Sequence, residues 1–190
     1  MPGHISVTRE QYLESIRQVS TSASDLIARH NLLQIVWQPK NGESWSMVEC
    51  LDHLTVATET YLDSMEPAIM EARSGTPDAG VFRTAGWPST KFVSDMEPPP
   101  RTKHSAPGKI RPRPTLNPEG ILPRFLAITN RVAALVTNTP NKDLNSVRFR
   151  NPFIPVIRFT VSSGFLILGA HFRRHIWQAE QVAQQPDFPH

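Results

Sequence analysis

The chain has 190 residues, enough for a single domain over residues 1–190 with a sizeable core, and its 39% hydrophobic and 19% charged residues suit a globular protein. No apolar run approaches the roughly 18 residues that cross a bilayer, so no membrane partner is expected, and the start, MPGHISVTRE, lacks the basic and apolar regions of a secretory signal. The one cysteine, Cys50, excludes an internal disulfide framework and fits a reducing compartment, so a cytoplasmic location is expected.

Helical periodicity recurs in four places. The first helix is predicted over about 8–30, opening on the capping box Thr8-x-x-Gln11 and carrying Tyr12, Ile16, Val19, Ala23, Leu26, Ile27 and His30 on one stripe. The second is predicted over 46–73, with a capping box at Ser46 and Glu49, an apolar side from Cys50 to Ala68, and Gly75 as its stop. A proline-rich connection over 76–116 follows, read as a long surface loop bordering the pocket mouth. Between Pro98 and Pro118 it holds Arg101, Lys103, His104, Lys109, Arg111 and Arg113 and no acid. Without interleaved aromatics or a helical frame, this stretch does not predict a nucleic-acid partner; a small anionic molecule is the more economical one.

The third helix is predicted over 118–138, from Asn117 as N-cap and Pro118 at the first helical position. The apolar stretch 151–159, NPFIPVIRF, is broken by Pro152 and Pro155 and is read as an ordered loop against the core, not as a strand. The fourth helix is predicted over 162–184, with Phe165, Leu168, Phe172, Ile176 and Ala179 on one arc. Four long amphipathic helices without β alternation predict an all-α fold, a four-helix bundle with the long connection between its second and third helices.

Of seven histidines, His171 and His175 are the informative pair. Four residues apart on the fourth helix, they project from one face, and that face is the apolar one. Two imidazoles aimed into a core need partners, either backbone and carboxylate groups or a shared metal ion. His53 sits at the polar margin of the second helix's apolar side, where it can meet the fourth helix; Glu49, one turn earlier, is placed to orient its ring. Gln178, one turn after His175, is placed to bond a ligand or close the pocket floor. Cys50 reads as a buried structural thiol, His30 as a capping or pocket-lining residue, and Trp45 as a hydrophobic staple under the second helix. His4, His104 and His190 read as solvated.

The segment Trp45-Ser46-Met47-Val48-Glu49-Cys50-Leu51-Asp52-His53-Leu54 resembles the W-S-x-x-E-x-L-x-H-L signature of DinB/YfiT-like proteins. His171-Phe172-Arg173-Arg174-His175-Ile176-Trp177-Gln178 is similar to their closing H-x-x-x-H-x-x-Q motif. The resemblance implies a four-helix bundle whose three histidines, here His53, His171 and His175, bind a divalent metal, zinc or nickel. The length and basicity of the 98–118 stretch depart from that pattern. Three protein ligands leave a coordination position open, the arrangement of catalytic sites. The resemblance implies either a thiol-dependent S-transferase using a low-molecular-weight thiol or a hydrolase, acting on a small molecule. The alternative is a non-catalytic, stress-associated metal- or ligand-binding bundle, and a homodimer is left open.

Overall fold

Two capping boxes start the first long helices where the sequence places them. The computed structural model describes residues 4–75, 80–100, 106–113 and 115–189. Helix α1 (Arg9–Ala28) begins on Thr8, whose hydroxyl accepts from the Gln11 N–H at 3.1 Å while Gln11 Oε1 accepts from the Thr8 N–H at 2.9 Å. A short helix, α2 (Leu32–Val36), follows with its own capping box, Asn31 with Gln34. Helix α3 (Met47–Glu71) starts at Ser46 and ends at Ala72, whose extended backbone stops it, so Gly75 is not the terminator. Helix α4 (Trp87–Met96) lies in the connection, α5 (Pro118–Thr137) opens on Pro118, and α6 (Val161–Val182) is capped by Thr160.

The four long helices form the bundle. α3 lies against α5 and α6, α1 packs on the same two helices from the other side, and α4 covers α6. Two small antiparallel pairs fasten the ends: β1 (Ser6–Thr8) with β2 (Val81–Arg83), and β3 (Arg148–Arg150) with β4 (Arg158–Thr160). The core runs through all the helices, and Leu51, Leu54, Leu62, Met65, Phe125, Phe165 and Phe172 are among its fully enclosed side chains. Among the described residues no helix is long and apolar enough to cross a membrane.

The all-α bundle is the fold that the periodicity predicts, and the long helices begin and end within two residues of the expected limits. Two readings are corrected. The connection 76–116 is not structureless among its described residues, since it contributes β2, α4 and a 3-10 turn at Gly108–Ile110. The stretch 151–159 ends in a strand, because Arg158 and Phe159 belong to β4, and only 151–157 is the hairpin's loop. Phe149 and Phe159 face each other across that pair, both turned into the core. The short helix α2 lies beyond the first expected helix and was not foreseen. Arg101, Lys103, His104 and His190 lie outside the described residues.

Candidate metal centre

His53 stands in the second turn of α3, and the phase of that helix is set by its cap. The Ser46 hydroxyl accepts from the Glu49 N–H at 3.3 Å, and the Glu49 carboxylate accepts from the Ser46 N–H at 2.7 Å. His171 and His175 come from the facing side of α6, which packs along α3. The three rings close on one another, with centroids 5.0 Å apart for His53 and His171, 4.5 Å for His53 and His175, and 4.7 Å for His171 and His175. Their ligand atoms all lie within 4.8 Å of one another, and among the described residues this is the one group of three or more His, Cys, Asp or Glu side chains so arranged.

Hydrogen bonds fix which nitrogen two of the rings present. His53 donates through Nδ1 to the Ile110 carbonyl at 2.5 Å, and His175 donates through Nδ1 to Gln178 Oε1 at 2.8 Å. A neutral imidazole holding its proton on Nδ1 carries its lone pair on Nε2. His53 Nε2 lies 3.0 Å from His171 Nε2. Two lone pairs cannot face each other at that distance without a proton or a cation between them. Tetrahedral ligation at ~2.1 Å sets ligand nitrogens about 3.4 Å apart, a spacing between the 3.0 Å of the His53–His171 pair and the 4.8 Å within which all three ligand atoms lie.

The electrostatics keep the rings neutral, the form that ligates. Burial pushes the His53 pKa below the ordinary histidine value, against the opposing pull of the Ile110 bond and of Asp52. His171 is held well below it by burial and then by the neighbouring His175, His53 and Arg174. His175 is likewise held well below, by burial first and then by His53, while its Gln178 bond works the other way. The chemistry of the donor set, three neutral imidazoles with two oriented from behind, fits a divalent first-row ion.

Several expected roles move. Glu49 does not orient His53: its carboxylate is taken up by the Ser46 N–H and by Gln38 Nε2, 2.8 Å from each oxygen, and the Ile110 carbonyl does that work instead. Gln178 orients His175. Trp45, half-buried against the core, also lies over the cluster, its ring 4.8 Å from His53 and 5.7 Å from His175. His30 keeps its capping and pocket-lining place, away from the cluster: it donates to the Leu26 carbonyl at 2.8 Å, meets Phe188 edge-on, and lines a separate cavity of about 440 Å³ between the ends of α1 and α6. His4 is exposed but donates to the Thr84 carbonyl at 2.8 Å. Cys50 is fully enclosed, burial pushes its thiol well above the usual range, and it is not one of the clustered ligand groups.

Sequence reasoning missed Ile110, Asp52 and Arg113. The first acts through a backbone carbonyl, which no residue type advertises. Asp52 is readable as an acid on the inner side of α3, next to His53, and it is wholly buried.

A family model described as DinB superfamily matches residues 4–179. No curated protein and no solved structure matches the chain.

Proposed function

The chain belongs to the DinB superfamily, and from that membership we propose that His53, His171 and His175 hold one divalent ion, zinc or nickel, for chemistry on a small molecule. The observation that carries this reading is the convergence of three imidazoles, two buried and His171 half-buried, with two tautomers locked from outside the cluster. Bound there, the ion supplies a Lewis acid with an open position that activates a water or a thiol.

The chain's own residues favour the thiol. Hydrolysis benefits from a general base beside the nucleophile. The nearest acids along α3 are engaged elsewhere: Glu49 in its capping box and with Gln38, Asp52 with Arg113. A substrate that brings an acidic, polarisable nucleophile of its own needs less help, and a low-molecular-weight thiol does so. The proposed activity is therefore conjugation of a whole thiol, through its sulfur, to a small electrophile, the thiol giving up its proton and the electrophile its leaving group, with hydrolysis second. Trp45 over His53 and His175 screens that side of the cluster from water.

Elemental analysis of purified protein tests the metal, with about one equivalent of zinc or nickel expected. Metal-loaded protein is then assayed for conjugation of a small thiol to a chromogenic electrophile, and separately for ester hydrolysis. Thiol consumption that a chelator abolishes supports the reading. Loaded protein inert in both assays would mark a binding module and end the enzymatic proposal.

A further inference from the structure

Asp52 immediately precedes His53 on α3 and has no exposed surface. Its carboxylate accepts from the backbone N–H of Arg113 at 3.0 Å and from Arg113 Nε at 3.0 Å, with Arg113 Nη2 in closer contact and Arg124 Nη1 at 3.5 Å. Three residues before Arg113, the Ile110 carbonyl accepts the His53 Nδ1–H. The Ile110 side chain is itself buried, in a 3-10 turn closed by the Ile110 N–H on the Pro107 carbonyl at 3.0 Å. The basic segment that departs from the family pattern is thus fastened to α3 at two adjacent residues, one a candidate ligand and the other a buried acid.

We infer that Asp52 and Arg113 form a clamp that docks segment 106–113 on α3, so that the Ile110 carbonyl positions His53 and metal loading is coupled to the docking of this segment. The inference rests on the metal reading above. Two physical facts drive it. A buried carboxylate needs close donors and counter-charge, and Arg124 reaches Asp52 only at 3.5 Å, so Asp52 selects the docked segment, which adds the Arg113 N–H and guanidinium. A ligated imidazole is a stronger N–H donor than a free one, so an ion on His53 Nε2 tightens the Nδ1–H bond to Ile110; by linkage, a docked Ile110 tightens the ion to the same degree. Asp52 and Arg113 act as positioning residues, since neither reaches the cluster with its own side chain.

Arg113→Gln is the test, because Asp52 keeps Arg124 as a partner and the fold is preserved. Arg113→Lys serves as the conservative rescue. Three quantities are read: nickel affinity by chelator competition, hydrogen exchange of segment 106–113 with and without nickel, and the His53 tautomer in the ion-free protein by side-chain nitrogen NMR. Arg113→Gln should bind nickel roughly tenfold to a hundredfold more weakly, exchange faster at 106–113, and lose the Nδ1-protonated form of His53. Arg113→Lys should restore most of each, and nickel should slow exchange of the segment in the unaltered protein. Faster exchange with unchanged nickel affinity would overturn the coupling. Unchanged exchange and an unchanged His53 tautomer would overturn the clamp. Unaltered protein that takes up no nickel or zinc would sink the metal reading and the coupling together, while the ion-free exchange and tautomer measurements still decide the clamp.

Discussion

Gly164, near the start of α6, sits where the β3–β4 hairpin presses on the helix that carries His171 and His175. A Cβ built there would lie 2.8 Å from Phe149 Cε1, 2.9 Å from Phe149 Cζ and 2.9 Å from Met65 Sδ. Met65 is flexible and can yield, but the Phe149 ring is buried and backed by Tyr61, with centroids 5.7 Å apart. Gly164→Ala therefore forces the ring to move, an overpacking cost of about 1–3 kcal/mol. Alanine recovers about 0.5–1 kcal/mol of that through backbone entropy and helix propensity. The net expectation is a loss of about 1 kcal/mol, or ~2–4 °C in Tm for a chain of this size. Thermal unfolding followed by far-UV circular dichroism measures it. Gly169→Ala is the comparison, since its nearest contacts, 3.1 Å to Tyr12 Cε2 and 3.4 Å to Arg173 Nη1, are looser; it should come out near neutral. A Tm for Gly164→Ala equal to or above that of the unaltered protein would refute this account of how the hairpin seats on α6.

His171→Ala and His175→Ala should each lower nickel or zinc affinity by more than the tenfold to hundredfold that loss of an outer partner costs, because each removes a ligand; His30→Ala, whose ring meets Phe188, is the control and should leave occupancy unchanged in elemental analysis. Gln178→Ala frees the His175 ring and should weaken binding about tenfold, read by chelator competition, whereas equal affinity would remove Gln178 from the site. The ion-free protein should lose stability in acid. All three cluster histidines titrate below their unfolded value of about 6.5, so the unfolded chain takes up protons first and stability, constant above roughly neutral pH, falls as pH drops below it. Urea unfolding in chelator at several pH values checks this, the slope should shrink in His171→Leu, and a flat profile would contradict the neutral, buried cluster.

The helices were readable because burial on one side imposes a 3.6-residue period on long segments, and because Thr8 with Gln11 and Ser46 with Glu49 mark their starts chemically. The same capping signal stands at Asn31 and Gln34, yet the five residues of α2 are too few to carry a period. Three-residue strands are equally silent: Arg148-Phe149-Arg150 alternates only once, and its meaning comes from Phe159, ten residues on. In the site, His171 and His175 were legible from spacing and from the apolar face they share. The partners that aim the rings were not, with one exception. Gln178 lies one helical turn from His175, a distance the sequence displays, whereas Ile110 is 57 residues from His53 and contributes only its carbonyl. Arg113 was hidden by its company, because a cation among five other basic side chains reads as solvated until Asp52, 61 residues away, is seen beneath it.

A core shaped for stability alone would not keep this cluster. Leucine or phenylalanine at His53, His171 and His175 would bury more apolar surface and carry no polar atom to satisfy, and a buried donor or acceptor left unmade costs about 1–3 kcal/mol. Two of the rings offset part of that cost through Ile110 and Gln178, but among the described residues the only hydrogen-bond partner of His171 is the Nε2 of His53, which presents a lone pair when His53 is neutral. The His171 ring meets that lone pair by donating its own Nε2–H, a proton that an ion bound there would displace. Locking the rings from behind removes the orientational entropy that a ligand set would otherwise lose on binding, and it does so before any ion arrives. Among the described residues the Tyr12 and Thr58 hydroxyls are also buried without a hydrogen-bond partner, but only the three imidazoles converge on one point, with two of them oriented from outside, and the proposed cation accounts for that convergence.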